Sequence, residues 1–174
     1  ERLKKAIDRG VAVRLILDAK VNEYTDGKGK FHESFPREDN KDAVKAAGIP
    51  ANAVALWREH NPGDIQHNKF LVLLRGKAEK PAEVWTGSTN LSVGGIHGQT
   101  NVGHWVRNAD VAAAFRDYWN LLKGDPGSVD GEPQKTSNAK RKAYRDAVTA
   151  LAPVPDRWES IPKGASTIFI PRAG

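Results

Sequence analysis

The sequence predicts an α/β fold: a mixed, mostly parallel central sheet flanked by helices in a layered sandwich. Three observations carry that expectation. Short apolar runs rich in Val, Ile and Leu alternate with segments of helical period along the chain. The 174 residues suffice to bury one substantial core. A hydrophobic content of 39% with scattered charge places the chain among soluble globular proteins, and no apolar run approaches the roughly 20 residues that cross a bilayer.

The first element is an amphipathic helix carrying Leu3, Ala6 and Ile7, stopped by Gly10 and leading into a strand over residues 11–18. Residues 19–37, with Tyr24, Asp26-Gly27, Gly29 and His32, read as a long polar loop that shapes a pocket or is simply solvated. Asn40 is placed to cap a helix over residues 41–47 that ends at Gly48, and residues 53–57 follow as a strand. Residues 65–74 and 83–88 read as two further strands. Asn108 caps a helix in which Val111, Phe115, Tyr118, Trp119 and Leu122 share one face and belong to the core. Residues 123–138 are rich in Gly, Pro, Asp and Ser and read as an exposed connector, followed by a helix over residues 139–151.

Chemistry concentrates in two short stretches: His67-Asn68-Lys69, and Gly87-Ser88-Thr89-Asn90 eighteen positions after the lysine. Together they offer a nucleophile, a cation and two hydrogen-bond donors, a set suited to attacking and holding a phosphodiester. On a strand, residues two apart share a face, so His67 and Lys69 point one way while Asn68 turns aside. Ser88 and Asn90 are likewise two apart at a strand exit. A lone His-x-Lys is an ordinary half-exposed pair; the second motif gives it meaning. Ser88 is no serine-hydrolase elbow, because Asn90 stands where Gly-x-Ser-x-Gly requires its second glycine.

With these motifs, the chain resembles the phospholipase D superfamily over roughly residues 1–122. The likeness continues through Trp85 to Leu91 and Thr100 to Val106. It implies that His67 attacks phosphorus to give a covalent phosphohistidine. Lys69, Ser88 and Asn90 would hold the phosphoryl oxygens, with no cofactor and no metal in the scheme. A second histidine, from another half-site, would serve as acid and then base. The family usually has Asp five residues after the lysine; here Leu74 stands there, which bears on the local scaffold more than on the reaction. Gly87, Asn101 and His97 are further candidates for substrate contact.

The chain holds one His-x-Lys, hence half a site. A homodimer mate or a second repeat would supply the other half. The start at Glu1, directly in a helical pattern, suggests a piece of a longer enzyme. Residues 1–122 are then the half-domain, 123–167 a connector with a basic helix, and 168–174 the first strand of a second repeat, since Ser166 to Arg172 is β-rich.

Zero cysteines exclude disulfides, thiolate metal sites and Cys nucleophiles, and the five histidines show no metal-ligand spacing. His60, in Glu59-His60-Asn61-Pro62-Gly63, serves a turn, and His104 reads as a satisfied core histidine. The net charge of +6 suits an anionic phosphodiester, whether nucleic acid or phospholipid. The basic cluster Lys135, Lys140, Arg141, Lys142 and Arg145 either clamps phosphates or is a solvated helix face. A phospholipid would call for an exposed apolar rim around the site, whereas Trp57 and Trp85 read as strand core. The competing readings are a non-catalytic basic nucleic-acid-binding domain and a structural half-domain. Compartment is left open.

Overall fold

Residues 1–60, 67–161 and 163–172 are described by a computed structural model. The chain divides into two units, residues 1–66 with 122–141 and residues 67–121 with 142–174. In the first, α1 (Arg2–Asp8) ends before Gly10, whose φ of +84° suits a residue without Cβ. Strand β1 (Leu15–Asp18) pairs in parallel with β4 (Val54–Arg58), Leu17 opposite Trp57.

Residues 19–37 are not the expected loop. They form an antiparallel ribbon, β2 (Val21–Thr25) and β3 (Phe31–Pro36), with Tyr24 opposite His32. Asp26 closes its turn by accepting the backbone N–H groups of Lys28 (2.9 Å) and Lys30 (3.0 Å), and the Tyr24 ring stacks on His32 at 4.7 Å. Helix α2 (Arg37–Ala46) starts ahead of the expected Asn40 cap. Glu38 and Asp39 occupy its first turn, where the helix dipole favours acids, and Asn40 instead donates from Nδ2 to the Asp18 carbonyl at 2.6 Å. The expected stop at Gly48 holds, with φ +66°.

The connector after residue 122 is less exposed than its composition suggests. Arg58 is 2% exposed, and its guanidinium donates to the carbonyls of Leu122 and Pro126 and pairs with Asp125 at 3.2 Å. A buried charge needs such partners, and providing them draws in the connector; Ser128 is wholly buried.

In the second unit, β5 (Phe70–Arg75), β6 (Lys80–Gly87) and β7 (Gly103–Val106) form an antiparallel sheet in that order, with α3 (Val93–His97) between β6 and β7. Asn108 caps α4 (Ala109–Lys123) as expected, its Oδ1 accepting from the N–H groups of Asp110 and Val111. Val111, Phe115 and Tyr118 are buried, and Phe70 meets Phe115 at 5.1 Å between ring centres. Helix α5 (Gln134–Leu151) begins five residues ahead of Ala139.

The protein is a mixed α/β chain, but its described strands form three small sheets. Among the described strands the β1–β4 pair is parallel and the other two sheets are antiparallel, in place of the expected mostly parallel central sheet. Short β-rich segments signal strand without signalling direction, and the β5–β6 connection is too tight for a parallel crossover. Residues 166–170 lie outside the strands, with Phe169 buried and Ile168 and Ile170 exposed. No helix among the described residues is long and apolar enough to cross a membrane.

Candidate active site

All four principal candidates lie in the second unit. His67 to Lys69 precede β5 rather than forming part of it, and the expected start of that strand at Ile65 lies outside the described residues, as does the Asn61 to Gly63 turn after His60. His67 is exposed and Lys69 half-buried. Register carries the chain from Phe70 opposite Thr86 on β6 to Gly87 opposite Gly103 on β7, so the ends of three strands meet in one row.

That row joins the two motifs. The Lys69 carbonyl accepts from Thr86 Oγ1 (3.2 Å) and from the Gly87 N–H (3.4 Å), extending the β5–β6 ladder past the last paired residue. Ser88 and Asn90 then emerge exposed at the exit of β6. Gly87 has a packing reason to be glycine: a Cβ there would fall on the Val102 carbonyl and within 2.8 Å of Gly103 Cα.

Lys69 Nζ donates to the His67 carbonyl at 2.8 Å, folding the side chain along its own turn. Burial holds the Lys69 ammonium below the usual lysine value, because the charged form loses water there. Asn68 turns aside, toward α4: its Oδ1 accepts from the Tyr118 hydroxyl at 3.3 Å.

Of the secondary candidates, Gly87 and Asn101 have contacts within the scaffold. Asn101 donates to the Gly95 carbonyl (2.8 Å) and to Gln99, which fixes the segment around α3. His97 is the exposed last residue of α3, a short helix where a Gly-rich loop was expected, capped by Ser92 accepting from the Gly95 N–H at 3.1 Å. His104 is exposed, not buried, because β7 pairs with β6 along one side and presents the other to solvent. Leu74 lies half-buried on β5 opposite Pro81, a structural position. Several of the expected phosphate-clamping cations are engaged: Lys140 pairs with Glu132, Lys142 with Asp146 at 2.7 Å, and Arg141 donates to Ser128 Oγ at 3.1 Å.

Three contributors escaped the sequence reading: Thr86, the backbone of Val102, and Tyr118. Tyr118 had a usable signal, since a buried tyrosine hydroxyl generally finds a partner. Among the described residues no group of three or more His, Asp or Glu is placed to hold a metal ion.

What this arrangement offers is an exposed imidazole and a partly desolvated ammonium just ahead of β5, and a hydroxyl and an amide at the exit of β6, the two segments joined through the Lys69 carbonyl. A family model described as "Cardiolipin synthase, PLD-like domain" matches residues 1–122. Comparison with curated proteins and comparison with solved structures each found no match.

Proposed function

Because the chain belongs to the PLD-like family of the cardiolipin synthase type over residues 1–122, we propose that it is one half of a phosphodiesterase that works through a covalent phosphohistidine without needing a metal. The His67 imidazole attacks phosphorus in line, a P–N bond forms, and the P–O bond to the leaving group breaks. The leaving oxygen takes its proton from the histidine of a second half-site, in a second copy of the chain or a second repeat. That histidine next takes a proton from water or an alcohol, whose oxygen displaces His67 from phosphorus.

Lys69 balances charge on the non-bridging oxygens, and Ser88 and Asn90 donate hydrogen bonds where that charge spreads in the transition state. The observation that supports this reading most is the Lys69 carbonyl bound by Thr86 and Gly87, which ties the two motifs side by side. Lowered basicity from burial also suits Lys69 to a charged ligand, whose binding restores what desolvation removed.

Of the two substrate classes, one observation favours phospholipid. Residues 84–106 contain no Asp, Glu, Lys or Arg. Within them Leu91, Val93, Ile96 and Val102 are each more than half exposed, an uncharged apolar rim contiguous with the Ser88 to Asn90 segment. Acyl chains gain from such a rim and a polyanionic strand does not.

The test is hydrolysis in excess EDTA of a chromogenic phosphodiester, of phosphatidylcholine vesicles and of single-stranded DNA, by the chain and by His67→Ala. Turnover on vesicles that persists in EDTA and vanishes in the variant supports the proposal. Turnover on DNA but not vesicles overturns the substrate preference, and DNA binding without turnover, unaffected by His67→Ala, favours the non-catalytic basic domain.

A further inference from the structure

Asn68 lies between the two residues assigned to chemistry and has no part in it, yet its side chain is held. The Tyr118 hydroxyl, on a residue 2% exposed, lies 3.3 Å from Asn68 Oδ1, 3.1 Å from the Ile170 carbonyl oxygen and 3.2 Å from the Tyr144 hydroxyl. A carbonyl and an amide oxygen only accept, so the Tyr118 hydroxyl donates toward these two, and it shares a further hydrogen bond with the Tyr144 hydroxyl. One hydroxyl thus gathers the motif turn, α5 and the 166–172 segment around α4.

The ring does equivalent work. Tyr118 stacks on Phe169 at 4.5 Å and 17°, Phe115 meets Phe169 edge-on at 5.0 Å, and Phe70 lies 6.0 Å from Tyr118. Asn68 and Phe70, two residues apart, both reach Tyr118, one by its amide and one by its ring. Lys69 between them instead donates from Nζ to the His67 carbonyl at 2.8 Å. The segment carrying Phe169 is itself tied down, Arg172 Nη1 donating to the Ala152 carbonyl at 2.8 Å.

We infer that Tyr118 is a positioning residue for the His67-Asn68-Lys69 turn, acting through Asn68 and held in place by Phe169 and the Ile170 carbonyl. Its kinetic consequence rests on the proposed role of His67; its structural consequence does not. The hydroxyl sets where the imidazole and ammonium stand relative to Ser88 and Asn90, and reacting groups displaced by about 1 Å lose up to about a hundredfold in rate.

The experiment compares Tyr118→Phe, Asn68→Ala and the double variant in the full chain. Tyr118→Phe keeps the ring and its stacking and removes only the hydroxyl. Expected are a melting temperature lowered because the Ile170 carbonyl and the Tyr144 hydroxyl lose a partner, and backbone amide resonances of His67 and Lys69 that shift while those of His97 and His104 stay. With a phosphodiester substrate, kcat falls about tenfold at unchanged KM. Asn68→Ala, which leaves the Ile170 and Tyr144 contacts in place, holds the melting temperature and gives the same amide shifts and fall in kcat, and in these two readouts the double variant is no worse than Tyr118→Phe, because both single variants lose the Tyr118–Asn68 bond. Unmoved His67 and Lys69 amides, or losses that add in the double variant, overturn the inference. If the parent turns over no diester, two copies of the chain do not complete the site and kcat is not read, while the amide shifts still decide the role of Tyr118. Asn68→Ala, at an exposed position, supplies that readout should Tyr118→Phe fail to fold.

Discussion

Ser88 and Val102 clasp each other in both directions: the Ser88 N–H donates to the Val102 carbonyl at 2.9 Å, and the Val102 N–H donates to Ser88 Oγ at 3.0 Å. The pair closes the mouth of the β6–β7 excursion that carries α3. Because Oγ accepts from the backbone, its own proton is left to donate to a phosphoryl oxygen. Ser88→Ala removes both roles. It should lower kcat about 10²-fold and cost about 1 kcal/mol of stability, read by kinetics and by denaturant unfolding.

Asn90→Ala should leave a slow enzyme and His67→Ala none. A single donor lost from a charge-stabilising site costs about 10²–10³ in rate, whereas loss of the nucleophile removes the pathway. Steady-state rates for the two variants at equal folded concentration check this. Equal residual rates would place His67 outside the chemistry.

Gly87→Ala should damage both fold and activity. The added methyl meets backbone, the Val102 carbonyl and Gly103 Cα, which cannot swing away as a side chain end would. Overpacking of this kind costs about 1–3 kcal/mol, and relief requires β6 and β7 to part where Ser88 emerges. A thermal melt and a rate measurement should fall together, in contrast with Asn90→Ala, where the melt is expected to hold.

Glu83 gives a prediction with pH. Its carboxylate accepts from Arg75 Nη2 at 2.6 Å and from the Trp105 indole N–H, and these contacts, that of Arg75 first, hold it below the ordinary glutamate value of 4.5. A folded value below the unfolded one means that the contribution is complete above pH 4.5 and is lost as pH falls through the folded value. Asp26, held low chiefly by the hydrogen bond from His32, and Glu132, held low chiefly by Lys140, behave alike, so the informative quantity is a difference. Melting temperature against pH should fall less steeply below 4.5 in Glu83→Gln than in the parent.

Elements with a strong local signal were legible in the sequence. The α4 stripe of Val111, Phe115 and Tyr118, the Asn108 cap and the Gly48 stop follow from period and capping chemistry alone. The β2–β3 ribbon was not, because Glu23, Asp26, Lys28 and Lys30 give it a loop's polarity, and its pairing depends on Asp26 closing the turn and Tyr24 meeting His32 across it. Sheet direction was equally hidden, since pairing partners are a tertiary choice. At the candidate site the motif residues stood out by type and spacing. Thr86, Val102 and Tyr118 did not, for each acts through a contact between distant parts of the chain, and two of the three contribute a single polar atom or the backbone.

The most direct test of the central claim is to trap the covalent intermediate. The chain is incubated with a phosphodiester labelled in its phosphoryl group, quenched in base, where a phosphorus–nitrogen bond to imidazole survives, and digested for mass analysis. The account predicts a phosphoryl adduct on the peptide containing His67, absent in His67→Ala and retained in Asn90→Ala. Steady turnover with no adduct on His67, or an adduct on another residue that persists in His67→Ala, would contradict it.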